Sequence, residues 1–210
     1  MLKNILQRTI SAEFDYNLLI SCLSDYKNPR KKITKLLKNK DIIRVKKGLY
    51  VFGPEITERS YSLEVLANLI YGPSYISCEY ALSFYGLIPE RIEIVTSITN
   101  KRNKFFKTPV GEFSYKYLPK TKYSCGITQL KIDDNRNILI AIKEKAIIDL
   151  IWKAKDLSGI SQIQAFFLDN LRMDEYELKK LDINQILEIN KIFKSSSVNA
   201  LAQYLGKIKS

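Results

Sequence analysis

The feature that most constrains the fold is a change of hydrophobic period between residues 28 and 52. Asn28 and Pro29 are typical helix-start residues, and apolar residues follow them at helical spacing: Ile33, Leu36 and Leu37. The pattern then becomes β-rich in two short runs, 42–45 and 49–52, separated by a Lys-Lys-Gly turn that ends at Gly48. Because glycine accepts the positive φ that a tight hairpin needs, the pattern predicts a helix followed directly by a β-hairpin.

Two amphipathic runs precede this helix, over residues 2–9 and 15–23. Asp15 is placed to accept a hydrogen bond from the first turn of the second run, as N-cap residues do. Three helices followed by a hairpin is the order of a winged helix-turn-helix. In that motif the third helix enters the major groove of DNA and the hairpin, or wing, lies along the adjacent backbone. Residues 1–53 are therefore predicted to be a winged helix-turn-helix domain.

The positive charge of the chain is concentrated in this segment. The chain carries a formal net charge of +12, and residues 1–53 hold 12 Lys and Arg against 4 Asp and Glu, a net of +8. A charge that served solubility alone would be spread more evenly, whereas a basic helix and wing suit the phosphates of double-stranded DNA. The predicted DNA-binding residues are Arg30, Lys31, Lys32 and Lys35 in the groove, with Arg44, Lys46 and Lys47 on the wing.

The rest of the chain, 54–210, has the pattern of a mixed α/β domain. Helices are predicted over 60–70, 77–85 and 143–154, and strands over 75–76, 92–97, 110–117, 126–132 and 137–141. The last part, 155–210, is helical, with amphipathic runs over 158–169, 174–181, 183–193 and 198–205. The predicted class is thus α+β, an N-terminal winged helix-turn-helix followed by a mixed α/β domain with a helical C-terminal part.

A basic, aromatic stretch between two predicted strands has two interpretations. It could be a second contact for nucleic acid or a partner, because cations interleaved with aromatic rings suit backbone contacts and stacking. The residues of this candidate contact are Lys101, Arg102, Lys104 and Lys107. It could equally be a loop between strands whose Phe105 and Phe106 lie in the core. The sequence leaves both open.

The residue types present argue against several kinds of chemistry. The chain has no His and only three Cys, namely Cys22, Cys78 and Cys125. Without His, His-dependent nucleophilic catalysis and His-based metal sites are excluded, and three widely spaced Cys are typical of reduced thiols. We therefore expect no catalytic residues, no metal and no cofactor, and a protein that is not an enzyme. Because no apolar run is long enough for a membrane helix, we expect no membrane partner and a cytoplasmic location.

Two alternative functions are kept beside DNA-binding regulation. One is a metal-dependent nuclease targeted by the winged helix, with Asp133 and Asp134 as its candidate carboxylates. Adjacent Asp residues between strands are more often turn formers, and no strand E-x-K motif accompanies them. The other is a transcription factor with a ligand-sensing domain, which would need a pocket.

Four stretches in the same order and spacing carry a resemblance to a known family: 43–50, 75–87, 94–97 and 143–150. The first is similar to the family's R-x-x-x-G-x-Y hairpin, the second to its YIS-x-x-SAL-x-x-(H/Y)GL helix, and the fourth to its PEKA-hyd-hyd-D-hyd helix. Three positions depart from the pattern. Tyr80 replaces a small residue, Tyr85 stands where His is frequent, and Lys143 replaces Pro. On these motifs, which cover about residues 10–155, the chain resembles the AbiEi family of type IV toxin–antitoxin systems.

The resemblance implies two activities for the chain. AbiEi proteins are antitoxins and transcriptional repressors, so the N-terminal domain would bind inverted repeats in its own promoter. The C-terminal domain would oppose a cognate nucleotidyltransferase toxin, by direct contact or indirectly, in a phage-defence system. The middle motifs carry mainly apolar and small residues, so we interpret them as fold-forming rather than catalytic.

Overall fold

The computed structural model describes residues 2–154, 157 and 159–209. Within this part the protein is α+β, as predicted, with a three-stranded and a six-stranded sheet. The N-terminal segment runs α1 Leu2–Arg8, β1 Glu13–Asp15, α2 Tyr16–Ser21, α3 Pro29–Lys38, β2 Ile42–Lys46 and β3 Leu49–Phe52. Its small antiparallel sheet has the order β1-β3-β2, so β3 is the central strand.

The helix starts of this segment test two predicted caps. A carboxylate oxygen of Asp15 accepts from the backbone N–H of Leu18 at 2.8 Å, which confirms the predicted cap of α2. Asn28 is the N-cap residue of α3, as predicted, but its side chain makes no hydrogen bond to the first turn of the helix and its ψ of 73° is not extended. That helix begins at Pro29, whose ring already fixes a helical φ. Gly48 has a φ of +89° at the hairpin turn, as predicted.

Strand β1 is an element that the sequence does not predict. Its three residues pair with β3 in the register Glu13 to Val51, Phe14 to Tyr50 and Asp15 to Leu49. Three residues are too few to show an alternating pattern, so pairing with β3 rather than local preference makes this segment a strand.

The second sheet and its helices follow in the middle of the chain. The elements are α4 Leu63–Ile70, β4 Ser74–Ile76, α5 Cys78–Phe84, β5 Val95–Thr99, β6 Lys104–Thr108, β7 Gly111–Tyr117, α6 Lys120–Tyr123, β8 Ile127–Asp133, β9 Arg136–Ala141 and α7 Lys143–Lys153. The strand order is β6-β7-β5-β4-β9-β8, with parallel pairs β5/β7 and β4/β9 and the other pairs antiparallel. The sheet is therefore mixed, and β6 and β8 are its edges.

Two predictions for this sheet need correction. The strand predicted over 92–97 is β5 and lies further along the chain, because the preceding residues Ile92 and Ile94 line a surface cavity instead of joining the ladder. The loop interpretation of the basic stretch is wrong for its second half, since residues 104–108 form the edge strand β6. Phe106 packs on the core, whereas Phe105 is 55% exposed, so only one of the two rings lies where the loop interpretation put both.

The C-terminal part is helical, as predicted. It contains α8 Ile160–Ala165 with a π-helical turn Phe166–Asn170, then α9 Glu175–Lys179, α10 Ile183–Phe193 and α11 Ser196–Lys209. Ser158, the predicted start of the first of these helices, lies outside the described residues. Asp182 caps α10 by accepting from the backbone N–H of Asn184 at 2.8 Å. Helices α10 and α11 pack on α7, so this part shares the core of the six-stranded sheet.

The β2–β3 hairpin contributes to two hydrophobic cores. One face, with Ile42, Tyr50 and Phe52, packs against α1, α2 and α3 in the N-terminal core. The other face, with Val45, Leu49 and Val51, belongs to the large core under the six-stranded sheet. All four residues of β3 are buried. The N-terminal segment is therefore attached to the rest of the chain by a shared sheet rather than by a free linker.

Polar contacts reinforce this attachment. The buried carboxylate of Glu13 accepts from the guanidinium of Arg136, in the β8–β9 hairpin, at 2.9 Å and from the backbone N–H of Ser62 at 2.7 Å. Arg136 also donates to the carbonyl of Ser60 at 2.9 Å. In the same connecting segment, Arg59 donates to the carbonyl of Thr9 at the end of α1, at 2.7 Å. These bonds hold residues 59–62 between the two parts of the protein.

Candidate nucleic-acid interface

Helix α3 presents a continuous basic surface. Ile33 and Leu36 are buried in the N-terminal core and Leu37 packs against it, which turns the opposite side of the helix outward. Arg30, Lys31 and Lys35 are exposed, and α3 contains no acidic residue in its first turn. Among the described residues these three cations have no ion-pair partner. Cations in the first turn oppose the helix dipole, so the fold itself gains nothing from the charges of Arg30 and Lys31.

Lys32 is less available than its neighbours on α3. Its side chain is half-buried, and its ammonium lies 4.8 Å from the centre of the Tyr26 ring, in the connection before the helix. A cation over an aromatic face is attracted by the ring quadrupole. We therefore expect Lys32 to contribute positive potential at this surface while it remains in contact with Tyr26.

The hairpin places two of the three predicted wing cations, Arg44 and Lys46, on opposite faces. Arg44 pairs with Tyr50 in the ladder and is exposed on the face that packs against α3. A β-bulge between Arg44 and Lys46 interrupts the alternation of side chains, so Lys46 pairs with Leu49 on the opposite face. There the Lys46 ammonium donates to the carbonyl of Ile70, at the end of α4, and burial lowers the pKa of Lys46.

This geometry changes the predicted role of Lys46. Lys46 lies on the wing, but its ammonium is bonded to the carbonyl of Ile70, so its prediction as a DNA-contacting cation needs correction. The physical reason is the bulge, which turns its side chain to the face opposite Arg44. Lys47 stands at the turn and is exposed. The surface formed by α3, Arg44 and Lys47 is called the α3 basic surface below.

The cations of the candidate second contact are mostly engaged with the protein itself. Lys101 donates to the carbonyl of Gly72 at 2.6 Å, and Lys104 lies 5.6 Å from the centre of the Tyr71 ring. Lys107 forms an ion pair with Glu112 at 3.0 Å. Arg102 is exposed. A second nucleic-acid contact in this stretch therefore stays a prediction, and it has fewer unengaged cations than the α3 basic surface.

Asp133 and Asp134 do not form a shared carboxylate site. Asp133 accepts from Arg136 at 2.6 Å, which lowers the pKa of Asp133, and Asp134 pairs with Lys131 at 2.7 Å. The two carboxylates thus each face a cation at the β8–β9 turn. In the described part of the chain no group of three or more His, Cys, Asp and Glu side chains has the arrangement of a metal site.

A buried polar cluster that the sequence pattern does not predict is centred on α7. Lys145 and Asp149, one helical turn apart, are fully buried and form an ion pair. The Lys145 ammonium also donates to the hydroxyl of Tyr75 at 2.5 Å, while Tyr75 and Ser77 donate to Asp149 at 2.9 and 2.8 Å. Burial raises the pKa of Asp149, and the charge of Lys145 opposes that rise.

The cluster explains two of the sequence motifs. Tyr75 and Ser77 come from the YIS stretch at β4, and Lys145 and Asp149 from the stretch on α7, so the two motifs meet in one network. Gly126 has a φ of +65°, and a Cβ there would lie 2.7 Å from the Cβ of Lys145. The absence of a side chain at Gly126 thus permits the close approach of α7. The i, i+4 spacing of a Lys and an Asp within an apolar helix was the signal available in the sequence.

No protein-family model matches the chain, and a search of curated proteins gives no significant match. None of the helices within the described ranges is long and apolar enough to cross a membrane.

Proposed function

We propose that residues 1–53 act as a winged helix-turn-helix that binds double-stranded DNA, and that the protein is a transcriptional autorepressor. The observation that carries the proposal is the α3 basic surface, where Arg30, Lys31 and Lys35 are exposed and unpaired among the described residues. In the proposed complex α3 enters the major groove, and Arg44 and Lys47 contact phosphates beside it.

The element order supports the same proposal. A helix, a short strand, two helices and a hairpin succeed one another within 52 residues, and the hairpin packs on the inner side of α3. That packing leaves the outer side of α3 free for a groove. The helix has ten residues, which at about 1.5 Å per residue gives roughly 15 Å, enough to follow the groove across several base pairs.

We further propose that the chain is the antitoxin of a type IV toxin–antitoxin system and opposes a nucleotidyltransferase toxin. This half of the proposal rests on the sequence resemblance to the AbiEi family. Residues of its YIS-x-x-SAL-x-x-(H/Y)GL motif and its PEKA-hyd-hyd-D-hyd motif meet in one buried cluster, which is consistent with a fold-forming role for both motifs. Such a protein binds and represses without catalysing a reaction.

Two measurements test the two halves separately. Fluorescence anisotropy compares the protein's affinity for a duplex from its own upstream region with that for a shuffled duplex. We expect tighter binding to the upstream duplex by at least about 100-fold. Equal affinity for the two duplexes would exclude a specific repressor.

For the antitoxin half of the proposal, co-expression of the protein with a nucleotidyltransferase encoded beside its gene should restore growth. Continued growth arrest would exclude the antitoxin role.

A further inference from the structure

A surface cavity of about 530 Å³ lies on one face of the six-stranded sheet, and its lining residues do not belong to the α3 basic surface. Its floor is formed by side chains that share this face, because Thr96 pairs with Ser114 and Ser114 pairs with Phe105 in adjacent ladders. Helices α5 and α7 supply the inner wall through Cys78 and Leu150. The size falls within the range of about 300–1,000 Å³ that is typical of small-molecule sites.

The lining of the cavity is mainly apolar. Ile92, Ile94 and Leu150 surround it, and the ring of Phe105 stands at its outer side on the edge strand β6. Two of these side chains are unusually exposed for their type, Ile94 at 38% and Phe105 at 55%. Covering exposed apolar surface of this kind with a ligand removes it from water, which favours binding.

Positive charge faces the same cavity. Lys116 and Lys153 both line it, and Glu79 is the carboxylate among the lining residues. Lys153 is partly buried, and its ammonium donates to the carbonyl of Tyr117 at 3.0 Å. Lys116 is exposed and has no hydrogen-bond or ion-pair partner within the described structure. Two neighbouring ammonium groups that border an apolar space favour an anion between them.

A strained residue lies at the inner wall. Cys78 has a φ of +57°, in the left-handed region that residues with side chains rarely adopt, although it is buried at the start of α5. Strained backbone is enriched at ligand-binding sites, where the surrounding structure holds it in place. This observation is independent of the lining chemistry and marks the same cavity.

We propose that this cavity binds a small organic anion, a carboxylate or phosphate attached to a flat apolar body. The anionic group would lie at Lys116 and Lys153, and the apolar body would pack between Phe105 and Leu150. The hydroxyls of Thr96 and Ser114 supply further donors on the floor. The proposal does not depend on DNA binding or on the antitoxin role.

Isothermal titration calorimetry of the full chain tests this proposal with four defined probes. Indole-3-acetate carries a carboxylate and phenyl phosphate a phosphate, so the two titrations distinguish the two anionic groups. Indole-3-acetamide lacks the charge, and inorganic phosphate lacks the apolar body. We expect at least one of the two complete anions to saturate the protein with a Kd below about 1 mM, and both partial probes to bind at least about tenfold more weakly.

Variants locate the binding in the cavity, because a chain with a net charge of +12 could hold anions elsewhere. Lys116→Gln and Phe105→Ala change exposed residues, and each should raise the Kd of the anionic probe by about five- to tenfold. Lys120→Gln is the matched control, an exposed lysine outside the cavity, and should have no effect. Failure of both anions to saturate, equal binding of the acetamide, or unchanged affinity in both cavity variants would overturn the proposal.

Discussion

At the scale of single residues, Lys145 and Asp149 are the pair whose removal should matter most. Both side chains are fully buried, so each charge depends on the other for its compensation. We expect Lys145→Met to lower the free energy of unfolding by about 3–5 kcal/mol, because it leaves Asp149 buried without its cation. Urea unfolding measured by circular dichroism gives this value.

A double variant separates loss of charge balance from loss of packing. In Lys145→Met/Asp149→Asn the uncompensated charge is gone, while the Asn oxygen still accepts from Tyr75 and Ser77. We therefore expect the double variant to be more stable than Lys145→Met alone. A double variant that is less stable, with additive losses, would contradict the account of the cluster as a coupled pair.

At the scale of elements, the bulge in the β2–β3 hairpin gives two neighbouring lysines different roles: Lys46 bonds to the protein interior, whereas Lys47 is exposed to solvent. Lys47→Gln removes one predicted phosphate contact. It should reduce the magnitude of the slope of log K against log salt concentration by about 1 and leave the free energy of unfolding unchanged. Lys46→Gln should leave the salt dependence unchanged and cost about 1 kcal/mol of stability, because its bond to the carbonyl of Ile70 is lost. Anisotropy titrations and urea unfolding of the two variants check both statements, and an exchange of the two effects would contradict the geometry.

The same hairpin indicates how far sequence reasoning reaches. Its strands and turn were predictable because two short runs of β-branched, aromatic and other apolar residues and the glycine between them, Gly48, are local signals. The position of Lys46 was not, because a bulge depends on how β3 pairs with its partner. Strand β1 and the edge strand β6 were missed for a related reason, since neither has a local pattern strong enough without its neighbour. The helix α7 was predicted, but one of the two hydrogen-bond partners of Lys145 is Tyr75 in β4, 70 residues away.

At the scale of the whole molecule, the shared hairpin predicts a single cooperative unfolding transition. Because β3 is buried between two cores, neither part can lose it without exposing apolar surface of the other. Fluorescence of Trp152, on α7, reports on the part that contains the six-stranded sheet, and hydrogen exchange of residues 29–38 reports on the N-terminal part. We expect coincident midpoints in urea, and Leu49→Ala should shift both together. Separate midpoints would show that the two parts unfold independently.

The central claim is that the α3 basic surface binds DNA through phosphate contacts. The most direct measurement is the slope of log K against log salt concentration for the full chain on its upstream duplex. We expect a slope of about −4 to −6, and a reduction in its magnitude of about 2–3 in Arg30→Gln/Lys31→Gln/Lys35→Gln. Lys120→Gln/Lys131→Gln, with two exposed lysines outside this surface, should keep the original slope. An unchanged slope in the triple variant would contradict the account.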